Sequence, residues 1–183
     1  MRGFKIHKYE HFWSFIGACL GVGLIALLQT QFDSVFLIAS FGASSVLIYG
    51  ATQSPIAQPR NLIFGHMISA AVGVTIYKML PDIIWLTAPL AVSLSIILMQ
   101  ITKTLHPPGG ATALNALIGT EKIKSLGYVY VFSPVLTGAI ILLIIAFIFN
   151  NISPKSYYPA NGGLSALFKR KILRQKSEFN DKK

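Results

Sequence analysis

Two short stretches of this sequence carry residue types that can hold a small negative ligand. One is His106-Pro107-Pro108-Gly109-Gly110-Ala111-Thr112, and the other is Phe41-Gly42-Ala43-Ser44-Ser45. Proline does not fit inside a regular helix, but it is tolerated in the first turn, where its missing N–H would have no partner anyway. Paired glycines let the backbone leave helical angles. His106–Gly110 therefore predicts a helix start. The N–H groups of Gly110, Ala111 and Thr112 would then lack intrahelical partners and sit at the positive end of the helix dipole, an arrangement that favours anions. Thr112 adds a hydroxyl, and Gly42, Ala43, Ser44 and Ser45 offer similar equipment. The candidate substrate-binding set is thus Gly42, Ala43, Ser44, Ser45, Gly109, Gly110, Ala111 and Thr112. His106 and Arg60 are expected to tune charge at its mouth. A second reading stays open for the triplets: Gly and Ala allow helices to pack closely, while Ser and Thr bond to backbone carbonyls.

Other polar residues are less specific. His66 lies more than one turn into a long apolar run. An ionisable residue there is a functional candidate by default, although a lone intramembrane histidine usually hydrogen-bonds to a neighbour. Arg60 suits lipid phosphate or topology as well as an anion. Gln58, Gln100 and Asn115 are polar handles of the same kind. An enzyme built on His66 and His106 is the weaker alternative. No carboxylate lies in any apolar run, and the runs hold no H-x-x-x-H, paired Asp/Glu or local Cys–His motif, whereas catalysis normally needs several converging polar groups. One cysteine, Cys19, excludes an intrachain disulfide and a multi-cysteine metal site. The expectation is no catalytic residue, no metal and no cofactor.

The elements that must position these residues are membrane helices. The chain has 183 residues, 53% hydrophobic and only 12% charged, with a mean hydropathy of +0.60; an average soluble domain carries about twice that charged fraction. The net charge is +10, and most of the basic residues sit in two tails, 1–11 and 151–183, that bracket a long apolar middle. That distribution suits a membrane protein rather than a nucleic-acid binder, which gathers basic residues on a folded face. A bilayer-crossing helix needs about 20 apolar residues. Phe12–Gln29, Asn61–Leu80, Ile83–Thr102 and Val131–Phe149 qualify. Val35–Ala51 and Pro107–Gly119 are short; the second would reach only about 20 Å as a helix, against a core of about 30 Å. Each must be a short or broken helix or a re-entrant hairpin, and such backbone survives at depth only inside protein or beside water.

The expected fold is an all-α membrane protein, a helical bundle of six membrane segments, four long and two short. Basic tails place both termini in the cytoplasm, so the number of crossings is even. Six crossings put Arg60 and Lys103 inside and Lys78, Lys122 and Lys124 outside. Four crossings with two re-entrant segments leave more basic residues outside, so six is preferred. The order long, short, long recurs, and a G-A-[S/T] triplet recurs with it. Three crossings per half would invert one half relative to the other, as in many secondary transporters. The repeats are 12–80 and 83–150 within a membrane domain 12–150. Residues 1–11 form a basic N-terminus. Residues 151–183 form a basic tail in which Leu164, Leu167, Phe168, Ile172 and Leu173, with Lys169, Arg170, Lys171 and Arg174 between them, predict an amphipathic helix for an anionic lipid surface. So small a bundle encloses little room, which implies a homo-oligomer packed through small residues such as Gly17, Gly21 and Gly23.

With these motifs in view, the chain resembles the HPP family of integral membrane proteins. The His-Pro-Pro triplet His106-Pro107-Pro108 stands within H-P-P-G-G-A-T-A-L. A second matching stretch covers Phe41 to Ala51, Ser54 to Asn61 and Gly65-His66. The resemblance extends over about residues 12–150. It implies four spans, in conflict with the six read from the residues, and the two short segments are the difference. Some relatives carry soluble regulatory domains after the membrane part; the resemblance does not imply that control here. Some are associated with nitrite transport. The resemblance therefore implies a transporter or channel for a small inorganic anion, with nitrite the leading substrate, membrane lipid as partner and no nucleic acid. The expected location is a bacterial inner (plasma) membrane. A non-transporting assembly or structural subunit is the alternative from another class.

Overall fold

The computed structural model describes residues 8–32, 35–152 and 157–160. The tail segment 164–174, where an amphipathic helix is expected, lies outside the described residues. Among the described residues all regular structure is helical. The helices are α1 (Lys8–Phe32), α2 (Ala39–Gly50), α3 (Pro59–Met79), α4 (Ile84–Ile101), α5 (Pro108–Ile118), α6 (Glu121–Ser125) and α7 (Val131–Phe149), with a 3-10 turn at Pro55–Ala57. Four of them, α1, α3, α4 and α7, are long and apolar enough to cross a membrane.

Local chemistry explains the boundaries. Pro59 and Pro108 each open a helix in its first turn, where proline removes no intrahelical bond. Both short segments begin with non-helical backbone: residues 35–38 precede α2, and residues 102–107 precede α5. The turn after α4 is held by Thr104 N–H donating to the Met99 carbonyl at 2.8 Å and Lys103 N–H donating to Gln100 at 3.1 Å. Lys103 occupies the left-handed region there, at φ 56°, a position that glycine usually fills. In α7 the first turns are widened, and Ser133 has extended angles (φ −135°, ψ 121°) beside Pro134.

The long helices form a row in which α1 packs on α7, α7 on α3 and α3 on α4. The short helices α2 and α5 lie side by side against that row, α2 touching α1 and α7, and α5 touching α3 and α4. One apolar core joins Ile25, Phe41, Leu62, Tyr130, Val135 and Leu142; a second joins Val72, Ile76, Ala91, Ala113 and Leu117. Glycines set the closest approaches. A Cβ at Gly73 would strike the Ala113 carbonyl oxygen, and one at Gly138 the Phe41 ring. Gly17 and Gly21 face the Tyr49 side chain within the chain, whereas Gly23 has open space beside it; the first two are therefore internal contacts and not the oligomer face expected of them. The outside carries large apolar side chains such as Phe15, Phe64, Leu94, Ile97, Ile144 and Ile148, as a surface in contact with lipid requires.

Side-chain contacts show which helix ends adjoin. At one end, Trp13 packs on Phe149, and Ser14 Oγ donates to the Tyr49 carbonyl at 2.7 Å. Asn150 there donates to Ile48 at 2.7 Å, Tyr158 to Ala57 at 2.7 Å, Arg60 to Thr102 at 2.9 Å and Asn61 to Leu105 at 2.8 Å. The start of α1, the ends of α2, α4 and α7 and the start of α3 therefore gather together. At the opposite end, the Lys124 ammonium lies 5.6 Å from the centre of the Tyr77 ring. A cavity of about 290 Å³ there is lined by Val35, Phe36, Lys122, Ser125, Leu126, Val129, Ser133 and Pro134.

Candidate functional site

Where α2, α3 and α5 meet, five polar side chains are sealed from solvent: Ser40 (1% exposed) and Ser44, His66, His106 and Thr112 (each 0%). They form one continuous hydrogen-bonded array. Ser44 Oγ lies 2.7 Å from His66 Nε2 and 2.9 Å from His106 Nε2. His66 Nδ1 lies 2.6 Å from Thr112 Oγ1, which stands 2.9 Å from Ser40 Oγ and 3.4 Å from the Pro108 carbonyl. His106 Nδ1 lies 2.9 Å from the Ile56 carbonyl. The two imidazoles meet edge to face with ring centres 4.9 Å apart, and the Phe41 ring packs on His66 at 5.5 Å. Beside the array, Tyr130 donates to the Thr112 carbonyl at 3.2 Å and receives a bond from Asn115 at 3.1 Å.

The backbone explains how residues 40 positions apart in the chain meet. A Cβ at Gly65 would stand 2.5 Å from the His106 Cβ and 3.0 Å from the Thr104 carbonyl, so only glycine lets the 102–107 segment lie on α3. A Cβ at Gly109 would stand 2.6 Å from Ser69 Oγ and 3.0 Å from the Gly65 carbonyl. With this close approach, α5 starts beside the second turn of α3, and His106 and Thr112 flank His66. In an apolar interior, polar groups are stable only when they are paired; each nitrogen and hydroxyl of the array has a partner within hydrogen-bond distance.

The residues singled out by sequence divide. Ser44, His106 and Thr112 come together. Ser45 is buried but bonds to the Phe41 carbonyl of its own helix at 2.8 Å. Gly42 and Ala43 are exposed on the outer face of α2, and Ala111 on the outer face of α5. Gly109 is a packing residue on α3, and Gly110 is half-buried. Arg60 is exposed and clasps the Thr102 carbonyl, joining α3 to the end of α4 rather than facing the array. The bare helix starts expected of the two triplets also differ from those observed. The α2 helix begins at Ala39, three residues before Gly42. At α5, the Gly109 N–H bonds to the His106 carbonyl at 2.8 Å and the Gly110 N–H to the Pro107 carbonyl at 3.1 Å. These turns consume donors that would otherwise face a ligand. His66 proves central, and its signals in the sequence were a titratable group inside an apolar run and a place in the Gly65-His66 pair of the family resemblance. Ser40 had no signal beyond its place two residues before Gly42.

The array consists of hydroxyls and imidazoles, which can donate to an anion or carry a proton. Among the described residues no three His, Cys, Asp or Glu side chains cluster.

Comparison with known proteins agrees with this architecture. No solved structure matches the chain. Two proteins of Dictyostelium discoideum, each named only as a transmembrane protein, are 43% identical over 157 residues and 44% identical over 154. Each alignment covers 80% of this chain but 49% and 54% of the respective relative, so the chain spans about half the length of the curated relatives it matches. The family model for the HPP transmembrane region matches residues 4–159, which include the whole α1–α7 bundle. The protein is an integral membrane protein, and it belongs to the HPP transmembrane family.

Proposed function

We propose that this protein transports a small inorganic anion across the membrane, nitrite being the leading candidate, and that the Ser44–His66–His106–Thr112 array is where the anion is held. The carrying observation is that two half-length helices meet in mid-bundle around a fully buried polar array. At about 1.5 Å per residue, α2 and α5 reach only about 18 Å and 16 Å. Short helices and non-helical leaders are costly in hydrocarbon, and membrane proteins use them where a solute must be handled. The array supplies hydroxyl and N–H donors without a buried lysine, a set suited to a small anion once α2 and α5 separate enough to admit it.

The packing supports a six-crossing plan in two inverted halves, α1-α2-α3 and α4-α5-α7. Exchanging the halves turns the α1–α7 contact into α4–α3 and α1–α2 into α4–α5, and returns α2–α5 and α3–α7 to themselves; all of these contacts occur. The third residues of the two triplets, Ser44 and Thr112, then hold opposite nitrogens of the same imidazole. The start of α1 and the end of α7 lie at the Arg60–Lys103 end, and the sequence adjoining each is basic; that end is then cytoplasmic, in a bacterial plasma membrane. A homo-oligomer fits the open faces at Gly23, Gly42 and Gly50, where a Cβ would meet nothing. The reading calls for no cofactor, catalytic residue or nucleic acid.

One observation favours a second reading, a non-transporting assembly subunit: the array is satisfied by its own members and the Ile56 carbonyl, and sealed. Reconstituted liposomes separate the two. Nitrite flux is expected from the wild type, with at least a tenfold loss in Thr112→Val and in His66→Gln. Full flux in both variants removes this site, and absence of flux in the wild type leaves the assembly reading.

A further inference from the structure

With both imidazoles neutral, the direction of every hydrogen bond at the two histidines follows from one fixed point. The Ile56 carbonyl only accepts, so His106 Nδ1 carries a proton and donates to it. In neutral His106 the other nitrogen, Nε2, is then an acceptor, and Ser44 Oγ donates to it at 2.9 Å. A hydroxyl has one proton, so Ser44 Oγ accepts from His66 Nε2–H at 2.7 Å. Neutral His66 is left with a bare Nδ1, 2.6 Å from Thr112 Oγ1; the Thr112 proton, directed at Ser40 Oγ in the structure, turns to that nitrogen in the neutral state. The two imidazoles therefore hold opposite tautomers, Nδ1–H on His106 and Nε2–H on His66.

An added proton fits with rotation of hydroxyls alone. With the proton on His66 Nδ1, that N–H donates to Thr112 at 2.6 Å, and Thr112 donates to Ser40 Oγ at 2.9 Å, the direction found in the structure. From there His66 Nε2 can release its proton to Ser44 Oγ while Ser44 releases its own to His106 Nε2. The charge has then moved to His106, Ser44 donates back to His66 Nε2, and every atom is again paired. A second proton does not fit. Both Nε2–H groups would then point at Ser44 Oγ, whose own proton would have no acceptor, and two cations with ring centres 4.9 Å apart repel.

We propose that His66, Ser44 and His106 form a binding site for a single proton, which passes between the two imidazoles through the Ser44 hydroxyl. No other charged group competes for this role. The segments 39–50, 55–79, 84–101, 102–118 and 131–149 contain no carboxylate. The titratable side chains on the packed elements are turned elsewhere: Tyr49 on α2 donates to the Leu142 carbonyl at 3.0 Å, Tyr130 before α7 donates to the Thr112 carbonyl, and Arg60 on α3 is held by Thr102. Lys78 lies at the far end of α3, against Gly127, and Lys103 is exposed beyond the end of α4. The role of the site rests on the transport reading and deepens it. A buried imidazolium beside a small anion makes a neutral pair, so proton and anion would cross together.

The test is nitrogen-15 magnetic resonance of imidazole-labelled protein in phospholipid nanodiscs, with no substrate present. His66→Gln and His106→Gln assign the signals, and the tail histidines His7 and His11 are set apart by them. The wild type is expected to show the Nδ1–H tautomer at His106 and Nε2–H at His66. On acidification both rings should shift together in one step that takes up one proton per chain. Ser44→Ala should leave only one ring shifting in that step. The same tautomer on both rings, two protons bound to the pair, or a joint step that survives Ser44→Ala would overturn the proposal. The tautomers and the proton count are read on the wild type, so they decide the matter even if Ser44→Ala does not fold. A null flux result for nitrite would remove the transport reading and leave these measurements standing.

Discussion

At Thr112 a single hydroxyl joins three elements. Its Oγ1 lies within hydrogen-bond distance of His66 on α3, Ser40 on α2 and the Pro108 carbonyl of its own helix. Valine has nearly the same shape and lacks only that oxygen. Thr112→Val would leave His66 Nδ1 facing an apolar methyl in a sealed interior, at a cost of about 1–3 kcal/mol. Thermal unfolding in detergent checks this: Thr112→Val should melt below the wild type and Thr112→Ser close to it. Equal stability for all three would mean that the bond contributes nothing. The same scale shows why Gly65 and Gly109 matter. Their missing Cβ atoms allow His106 to reach His66, so each acts on the array through distance alone.

At the scale of elements, the 102–107 leader determines where α5 starts. It turns back at Lys103, whose left-handed backbone costs a non-glycine residue about 1 kcal/mol. Lys103→Gly should therefore stabilise the folded protein by about that amount, read as a higher melting temperature. A lower one would show that the lysine side chain contributes more than its backbone loses. The α2 helix shows a different principle. Apolar residues lie on both its faces, with Phe41 and Ile48 in the core beside Ser40 and Ser44, and Val46 outside at 71% exposure. In water such a helix would reveal its inner face by its pattern; beside lipid both faces carry apolar residues.

For the whole molecule, the distinguishing issue is how often the chain crosses. Six crossings place Lys103 and Lys122 on opposite sides of the membrane, whereas two re-entrant segments would leave them on the same side. In a background in which Cys19, the one cysteine and an exposed one, is replaced, Lys103→Cys and Lys122→Cys should react with an impermeant thiol reagent from opposite sides of sealed vesicles. Labelling from one side would return the molecule to four crossings and remove the inverted halves. The joining of helix ends favours six, since Arg60 and Lys103 lie with the end of α7 while Lys124 lies with Tyr77.

The sequence by itself determined the elements that depend on length, hydropathy and proline. Runs of about 20 apolar residues set the four long helices, Pro108 set the start of α5, and two runs shorter than a full span marked the segments that hold Ser44 and Thr112. The tertiary structure alone decided the rotation of those short helices. It turned Ser40, Ser44 and Thr112 inward, and Gly42, Ala43 and Ala111 outward. The reason is physical: hydropathy reports facing only when the two sides of a helix meet different solvents, and here core and lipid are alike. The meeting of His66 with His106 was beyond the sequence for a related reason, since it depends on glycine-set approach between α3 and the leader of α5, a contact between segments that no local pattern encodes.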